Sequence, residues 1–305
     1  MNDRLGGTTT SLDGGNIRYY GASPNNYIYF NCSDYSNQTS STCETWRIIG
    51  VFDGKLKLIR GSQIGTYSWD NKNTSTGAED NYGKNDWTTA RLMKLLNPSN
   101  YYINDNNDKD SEGNYLGYSL YYNSAPGKCY SGQNNATVDC DFTSTGIKND
   151  ITRNMIAETT WNIGGWNSSS VYPNQIYEYE RGTTVYSNRP TTWTGKIALA
   201  YPSDYGYAAD LSQCTKQLNS YNDSTCTSNN WMKAILGTSS LGWLLTPLSS
   251  YSYNAWGVYS SGRVNHNYLA YNALGAVPVL YLSSELGIES GAGDGSSTNP
   301  YQLSV

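Results

Sequence analysis

Residues Trp243–Leu282 read WLLTPLSSYSYNAWGVYSSGRVNHNYLAYNALGAVPVLYL. The reading of this chain turns on that stretch. Its two ends, Trp243-Leu-Leu-Thr-Pro247 and Gly275-Ala-Val-Pro278-Val-Leu-Tyr-Leu282, are apolar and strand-like. Between them Tyr251, Tyr253, Tyr259, Tyr268 and Tyr271 interleave with Asn254, Asn265, Asn267 and Asn272. Tyr supplies rigid, amphipathic contact area at low entropic cost, while Ser, Gly and Asn supply adaptable hydrogen bonds. This is the composition of a binding surface. An active site calls for tuned acids, bases or nucleophiles, and the stretch offers one histidine, His266.

Within the stretch, scaffold separates from display. Trp256, Val258, Val264 and the turn Ser261-Gly262 read as structural. Side chains alternate along a strand, which makes Gly257, Tyr259, Arg263 and Asn265 the outward positions of a two-stranded ribbon. His266 to Leu274 then reads as an extended loop. The expected contact face is Leu248, Tyr251, Tyr253, Asn254, Tyr259, Arg263, Asn265, His266, Asn267, Leu269, Tyr271 and Asn272.

Composition limits the alternatives. With 305 residues the chain is long enough for a real core, and no linker divides it, so one domain over 1–305 is expected. It has 3 Phe against 29 Tyr and 9 Trp, so the core must use rings whose polar atoms need partners. Charged residues make up 15% with a net charge of -5, and no basic cluster exists, which argues against nucleic acid as a partner. No apolar run is long enough to span a membrane, and Met1-Asn-Asp-Arg4 lacks a signal-peptide core. Low charge with abundant Tyr, Asn and Thr points to an exported surface protein whose export or anchor segment lies upstream.

The 6 cysteines fall into the close pairs Cys32/Cys43, Cys129/Cys140 and Cys214/Cys226. Of the 15 ways to pair six cysteines, this spacing favours the three sequential ones. Each disulfide would close a short polar loop and add about 2–3 kcal/mol.

Along the chain, Ile17–Tyr20 and Tyr27–Asn31 read as a hairpin around Ser23-Pro-Asn-Asn26. Trp46–Phe52 and Lys55–Arg60 read as a second, joined by the two-residue turn Asp53-Gly54. One helix is expected from a cap at Asn85-Asp86 through Leu96, ending at Asn97-Pro98. Another is expected over Ile147–Trp161, with Ile147, Ile151, Met155 and Ile156 on one face. Gly195–Tyr201 reads as a strand followed by a turn at Pro202–Gly206. The fold class expected is α+β.

The fragments Tyr27-Ile-Tyr-Phe-Asn-Cys32, Cys43-Glu-Thr-Trp-Arg-Ile-Ile-Gly50, Asp86–Asn97, Tyr201-Pro-Ser-Asp204 and Trp243–Leu282 resemble a family of C-type-lectin-like surface domains of gut Firmicutes. The end of the chain also resembles the variable proteins of diversity-generating retroelements, in which a reverse transcriptase rewrites adenines in one C-terminal cassette. The resemblance implies a C-type-lectin-like fold with two helices, antiparallel strands and long disulfide-stapled loops. It also implies a cassette at 243–282 that displays rewritten residues to a protein or cell-surface ligand, on a non-enzymatic bacterial surface protein. Such cassettes commonly end Gly-Val-Arg-Pro; here the sequence is Gly275-Ala-Val-Pro278, without the arginine. Rewriting of AAC-type codons never yields Lys, Glu, Gln, Met or Trp. From Leu248 to Leu274 the first four are absent, and Trp256 would be fixed scaffold. The other 278 residues hold 30 of those four types, and chance absence from the stretch is roughly one in twenty.

Other chemistry is weaker. A Ser-His-Asp hydrolase would have to use His266, which reads as solvent-facing. Glu178 and Glu180, on a strand reading, form a surface charge pair rather than a glycosidase dyad. Asp108, Asp110 and Glu112 resemble half a calcium loop, but the twelfth position is Ser119. No cofactor is expected, with calcium the one candidate. The Glu-Pro-Asn and Gln-Pro-Asp triads of calcium-dependent sugar lectins do not occur, which makes such a lectin the second hypothesis. An enzyme like the formylglycine-generating oxidases, which share the lectin-like fold, is the third; its reactive cysteine pair has no counterpart among cysteines that read as loop staples.

Overall fold

The computed structural model describes residues 2–3, 16–71, 81–238 and 241–305. Its spine is the hairpin of Glu44–Phe52 and Lys55–Arg60. Asp53 and Gly54 turn it with φ of 49° and 75°, the left-handed pair that a two-residue turn matched to strand twist demands. The hairpin is the centre of a seven-stranded sheet ordered Asn2–Asp3, Ile17–Arg18, Glu44–Phe52, Lys55–Arg60, Val279–Tyr281, Ile197–Ala198. The expected hairpin between Ile17–Tyr20 and Tyr27–Asn31 does not form. Ile17–Arg18 and Tyr27–Phe30 both pair with Glu44–Phe52, one on Gly50–Val51 and the other on Glu44–Arg47. A nine-residue strand has room for both, end to end.

A second sheet of five strands is ordered Val264–Leu269, Asn254–Tyr259, Leu241–Pro247, Ala273–Gly275, Thr66–Ser68. The chain passes between the sheets at Arg60–Thr66 and again at Gly275–Val279. These crossings are bonded to each other, through Arg60 N to Pro278 O (3.0 Å), Ile64 N to Ala276 O (2.9 Å) and Ala276 N to Gly65 O (3.0 Å). A Cβ on Gly275 would stand 2.1 Å from the Gln63 amide, so a larger residue there would push aside that side chain and its bond to Leu236 O. Both apolar ends of the Tyr/Asn-rich stretch are therefore sheet strands in the interior.

The architecture is α+β, with helices shorter and more numerous than expected. The first runs Arg91–Leu96; Asp86 instead closes the turn before it, accepting from Thr88 N at 3.0 Å. The second is Asp150–Met155, capped by Asn149, whose side chain accepts from Thr152 N. It stops there because Thr159–Asn162 pairs with Thr192–Gly195, placing Trp161 on a strand, and Ile151 faces outward. Pro173–Glu180 and Pro202–Tyr207 are further helices with proline in the first turn. Glu178 and Glu180 thus sit on a helix, not a strand; Glu178 is exposed and Glu180 is fully buried.

The core fulfils much of the compositional expectation. The indole N–H groups of Trp46, Trp69, Trp161, Trp231 and Trp243 each donate to a protein oxygen. Those of Trp87, Trp193 and Trp256 meet no acceptor among the described residues. The three disulfides form as the spacing favours, Cys32–Cys43, Cys129–Cys140 and Cys214–Cys226. They fit an oxidising, extracellular compartment. Among the described residues no helix is long and apolar enough to cross a membrane.

Glu180 gives the fold a pH signature. Its carboxylate accepts from Ser203 N (2.9 Å) and Ser203 Oγ, and meets Arg181 Nη1 at 3.2 Å. Burial nonetheless raises its pKa to about 7, against the pull of Arg181. A folded pKa above the unfolded value adds stability that is complete below about 4.5 and lost as pH rises through about 7. Urea midpoints of the wild type should therefore carry a component that falls between pH 5 and 7.5, and Glu180→Gln should remove it. Parallel pH dependence in the two proteins would show that Glu180 is ionised throughout.

Candidate ligand-binding face

The backbone of the loop after Pro247 is held from outside. Asn85 Nδ2 reaches three carbonyls, Leu248 O (2.8 Å), Tyr251 O (2.7 Å) and Asn254 O (2.9 Å), while its own N–H donates to Ser252 O at 2.8 Å. A side-chain amide has two hydrogens, so one of the three bonds is shared. Arg189 Nη2 also donates to Ser252 O (3.3 Å), and Ser249 N donates to Trp166 O (3.3 Å). Asn85 is therefore not a helix cap. Its neighbourhood is anchored by Asp70, whose carboxylate accepts from Lys84 N (2.7 Å), Arg91 N (3.3 Å) and Arg91 Nη1 (3.2 Å). Asp70 N donates to Ala270 O (3.1 Å), which closes the circuit onto the far end of the stretch.

Two expected contact residues are not on the surface. Leu248 and Asn254 are each 2% exposed. Leu248 N bonds Asn254 O across the base of the loop, and both side chains turn into the core. Gly257 is not outward either, since a Cβ there would lie 3.0 Å from the Tyr268 ring. The cause is an irregular register. Ala255 faces Tyr268 and Gly257 faces Asn265, so one residue on the first strand opposes two on the second. This bulge brings Tyr268 to the side of Gly257, where it packs edge-on to Trp243 at 6.2 Å and against Tyr259 at 5.4 Å. The expected loop from His266 is strand as far as Leu269.

The remaining expected residues reach the surface in two groups. Near the hairpin tip lie Tyr259, Arg263 and Asn265, with exposed Asn267 further along the strand. The other group is an aromatic ridge. Tyr251, 52% exposed, lies 5.7 Å from Tyr253. Tyr82 lies 4.9 Å from Tyr253 and 5.9 Å from Tyr271, and its carbonyl accepts from Tyr271 N. Tyr82 lies far upstream of the stretch, and nothing in its polar neighbourhood, Asn81-Tyr82-Gly83-Lys84, singled it out. Leu269 and Asn272 are part-buried at the ends of this segment.

His266 is half-buried rather than solvent-facing. Its Nδ1 accepts from Ser169 N at 3.1 Å and lies 3.0 Å from Ser169 Oγ. An N–H donor fixes Nδ1 as the unprotonated nitrogen. Burial, then the charge of Arg263, lowers its pKa below the ordinary histidine value, so the ring is neutral at pH 7. It ties the strand to the Ser168–Ser169 loop.

The calcium candidates do not converge. Asp108 is 1% exposed, and its oxygens are taken by Arg91 (2.8 Å), Lys94 (3.3 Å), Tyr118 (2.6 Å) and Tyr130 (3.2 Å). Asp110 is instead the acceptor of its own turn, bonded to Glu112 N and Asn114 N. Among the described residues no group of three or more His, Cys, Asp or Glu is arranged to hold a metal ion.

No protein-family model, no curated protein and no solved structure matches this chain.

Asn85→Ala would leave the carbonyls of Leu248, Tyr251 and Asn254 without its amide. It should cost about 1–3 kcal/mol and speed hydrogen exchange over residues 249–254, leaving the Glu44–Arg60 hairpin unaffected. Asn85→Asp should cost more, because it turns a carboxylate toward three carbonyl oxygens. Exchange mass spectrometry checks both, and unchanged protection at 249–254 would show that the loop is held by other means.

Proposed function

We propose that this chain is an extracellular bacterial ligand-binding protein with a C-type-lectin-like fold. It presents the surface side chains between 251 and 272 as a diversified contact face, in the manner of the variable proteins of diversity-generating retroelements. Its partner is a protein or another cell-surface ligand, engaged by shape and hydrogen-bond complementarity, with no metal in the recognition. One observation supports this reading above the others. The backbone of the loop after Pro247 is held from outside by Asn85 and Arg189, and that of Ala270 by the Asp70 N–H. Side chains on such a backbone can change without moving it. The ridge of Tyr251, Tyr253 and Tyr271 offers the aromatic anchors that dominate binding energy at interfaces.

The test is sequencing of this locus and its flanking DNA across a natural population. Substitutions should concentrate at 251, 253, 259, 263, 265, 267, 269, 271 and 272, at adenines of a nearby template copy. The buried Leu248, Asn254, Trp256, Val258 and Val264 should stay constant. If the outward positions are as constant as these, the face serves one fixed ligand and diversification is wrong.

A further inference from the structure

Away from the Tyr-rich stretch, Arg47 is a buried cation that meets no carboxylate among the described residues. It is 7% exposed and lies over the Tyr27 ring at 3.7 Å and the Trp231 ring at 4.7 Å. Its hydrogen-bond partners are neutral: Asn26 Oδ1 (2.5 Å), the Pro24 carbonyl (3.4 Å) and Tyr27. The cation lines a cavity of about 470 Å³ between the Tyr27–Phe30 and Glu44–Phe52 strands and the short helix Lys233–Leu236. Two other charged groups line it, Arg60 and Glu44, and they pair with each other at 3.0 Å. Glu44 Oε2 also accepts from Trp46 Nε1. Among the described residues the lining thus carries one positive charge without an acid partner, and Thr45 and Ser62 also line the cavity.

A charge taken out of water is costly unless something opposite meets it. Burial lowers the Arg47 pKa to about 10, which leaves the group charged at neutral pH. Stacking between two rings fixes the guanidinium plane, and a fixed planar fork suits a planar oxyanion. The volume matches one sugar ring or a dipeptide end. We propose that this cavity binds a small carboxylate ligand, with Arg47 engaging the carboxylate. The assignment is independent of the diversified-face reading.

Calorimetric titration of the whole protein tests it, using glucuronate and N-acetylneuraminate as acidic sugars and N-acetyl-dialanine as a peptide C-terminus. Each is paired with its neutral amide. At least one acid should bind about tenfold or more tighter than its amide, and which acid does so identifies the source of the carboxylate. Arg47→Gln should erase that preference. Ala234→Trp places a large ring in the cavity wall from an exposed position and should abolish binding without touching Arg47; it carries the test if Arg47→Gln does not fold. Equal binding of every acid and its amide, or a preference that survives either folded variant, would overturn the proposal.

Discussion

The Asp204 carboxylate, 1% exposed, accepts from Arg18 at 3.1 Å, Lys57 at 2.5 Å and the Tyr201 backbone N–H at 3.0 Å. One side chain thereby joins the Ile17–Arg18 strand, the Lys55–Arg60 strand and the helix that begins at Pro202. Burial alone would raise the Asp204 pKa, but Lys57 and Arg18 overcome it and hold the carboxyl below its usual range. Rings close around the cations: Lys57 lies near Tyr201, Phe52, Tyr281 and Trp161. Removing the acid would strand two cations in that box, a change that costs about 3–5 kcal/mol in buried pairs. Tyr281 belongs to the Val279–Tyr281 strand, which carries the chain back from the second sheet. The ion cluster is therefore one of the points that fix where the Tyr/Asn-rich stretch ends.

From that base, control of the stretch passes to hydrogen bonds from outside it. The Asn85 side chain addresses its carbonyls, the Asp70 N–H addresses Ala270 O, and Ser169 addresses a ring through its backbone N–H. The first two kinds do not depend on which side chain the receiving residue carries. The tie through His266 does, since another residue at that position would lack Nδ1. The ridge around Tyr251 is therefore supported independently of its own identity, whereas the strand at His266 draws part of its support from its own side chain. The tip group around Tyr259 and Arg263 stands between these cases, because Tyr259 rests on Tyr268 and Tyr268 rests on the buried Trp243.

Sequence made the strand-forming parts legible where the signal was local. Asp53-Gly54 specified a turn, the cysteine spacing specified loops, and the apolar runs at Trp243 and Val279 specified strands. What failed was whatever depends on distant partners. Strict alternation placed Gly257 outward, but a bulge shifts the register beyond Asn265, and no periodicity argument sees an inserted residue. Leu248 and Asn254 looked like loop residues by composition and are interior because the loop closes on itself. Asn85 looked like a helix cap because Asn commonly is one; its real partners lie 163 to 169 residues away. The helices at Pro173 and Pro202 were missed, the first read as a strand around Glu178 and the second as a turn, although proline in the first turn is a helix-start signal.

The buried cations separate two uses of charge in this molecule. Arg18 and Lys57 share Asp204, while Arg91 and Lys94 meet Asp108, with Asp70 also on Arg91. In each case the acid belongs to another element, so the pair serves to join elements. Arg47 is held by Asn26, the Pro24 carbonyl and two rings, none of them an acid. A chain that supplies a carboxylate to these other deeply buried cations, and leaves this one facing a cavity, treats it differently. Aromatic stacking and neutral acceptors are enough to orient a guanidinium, and they leave its charge available to something else.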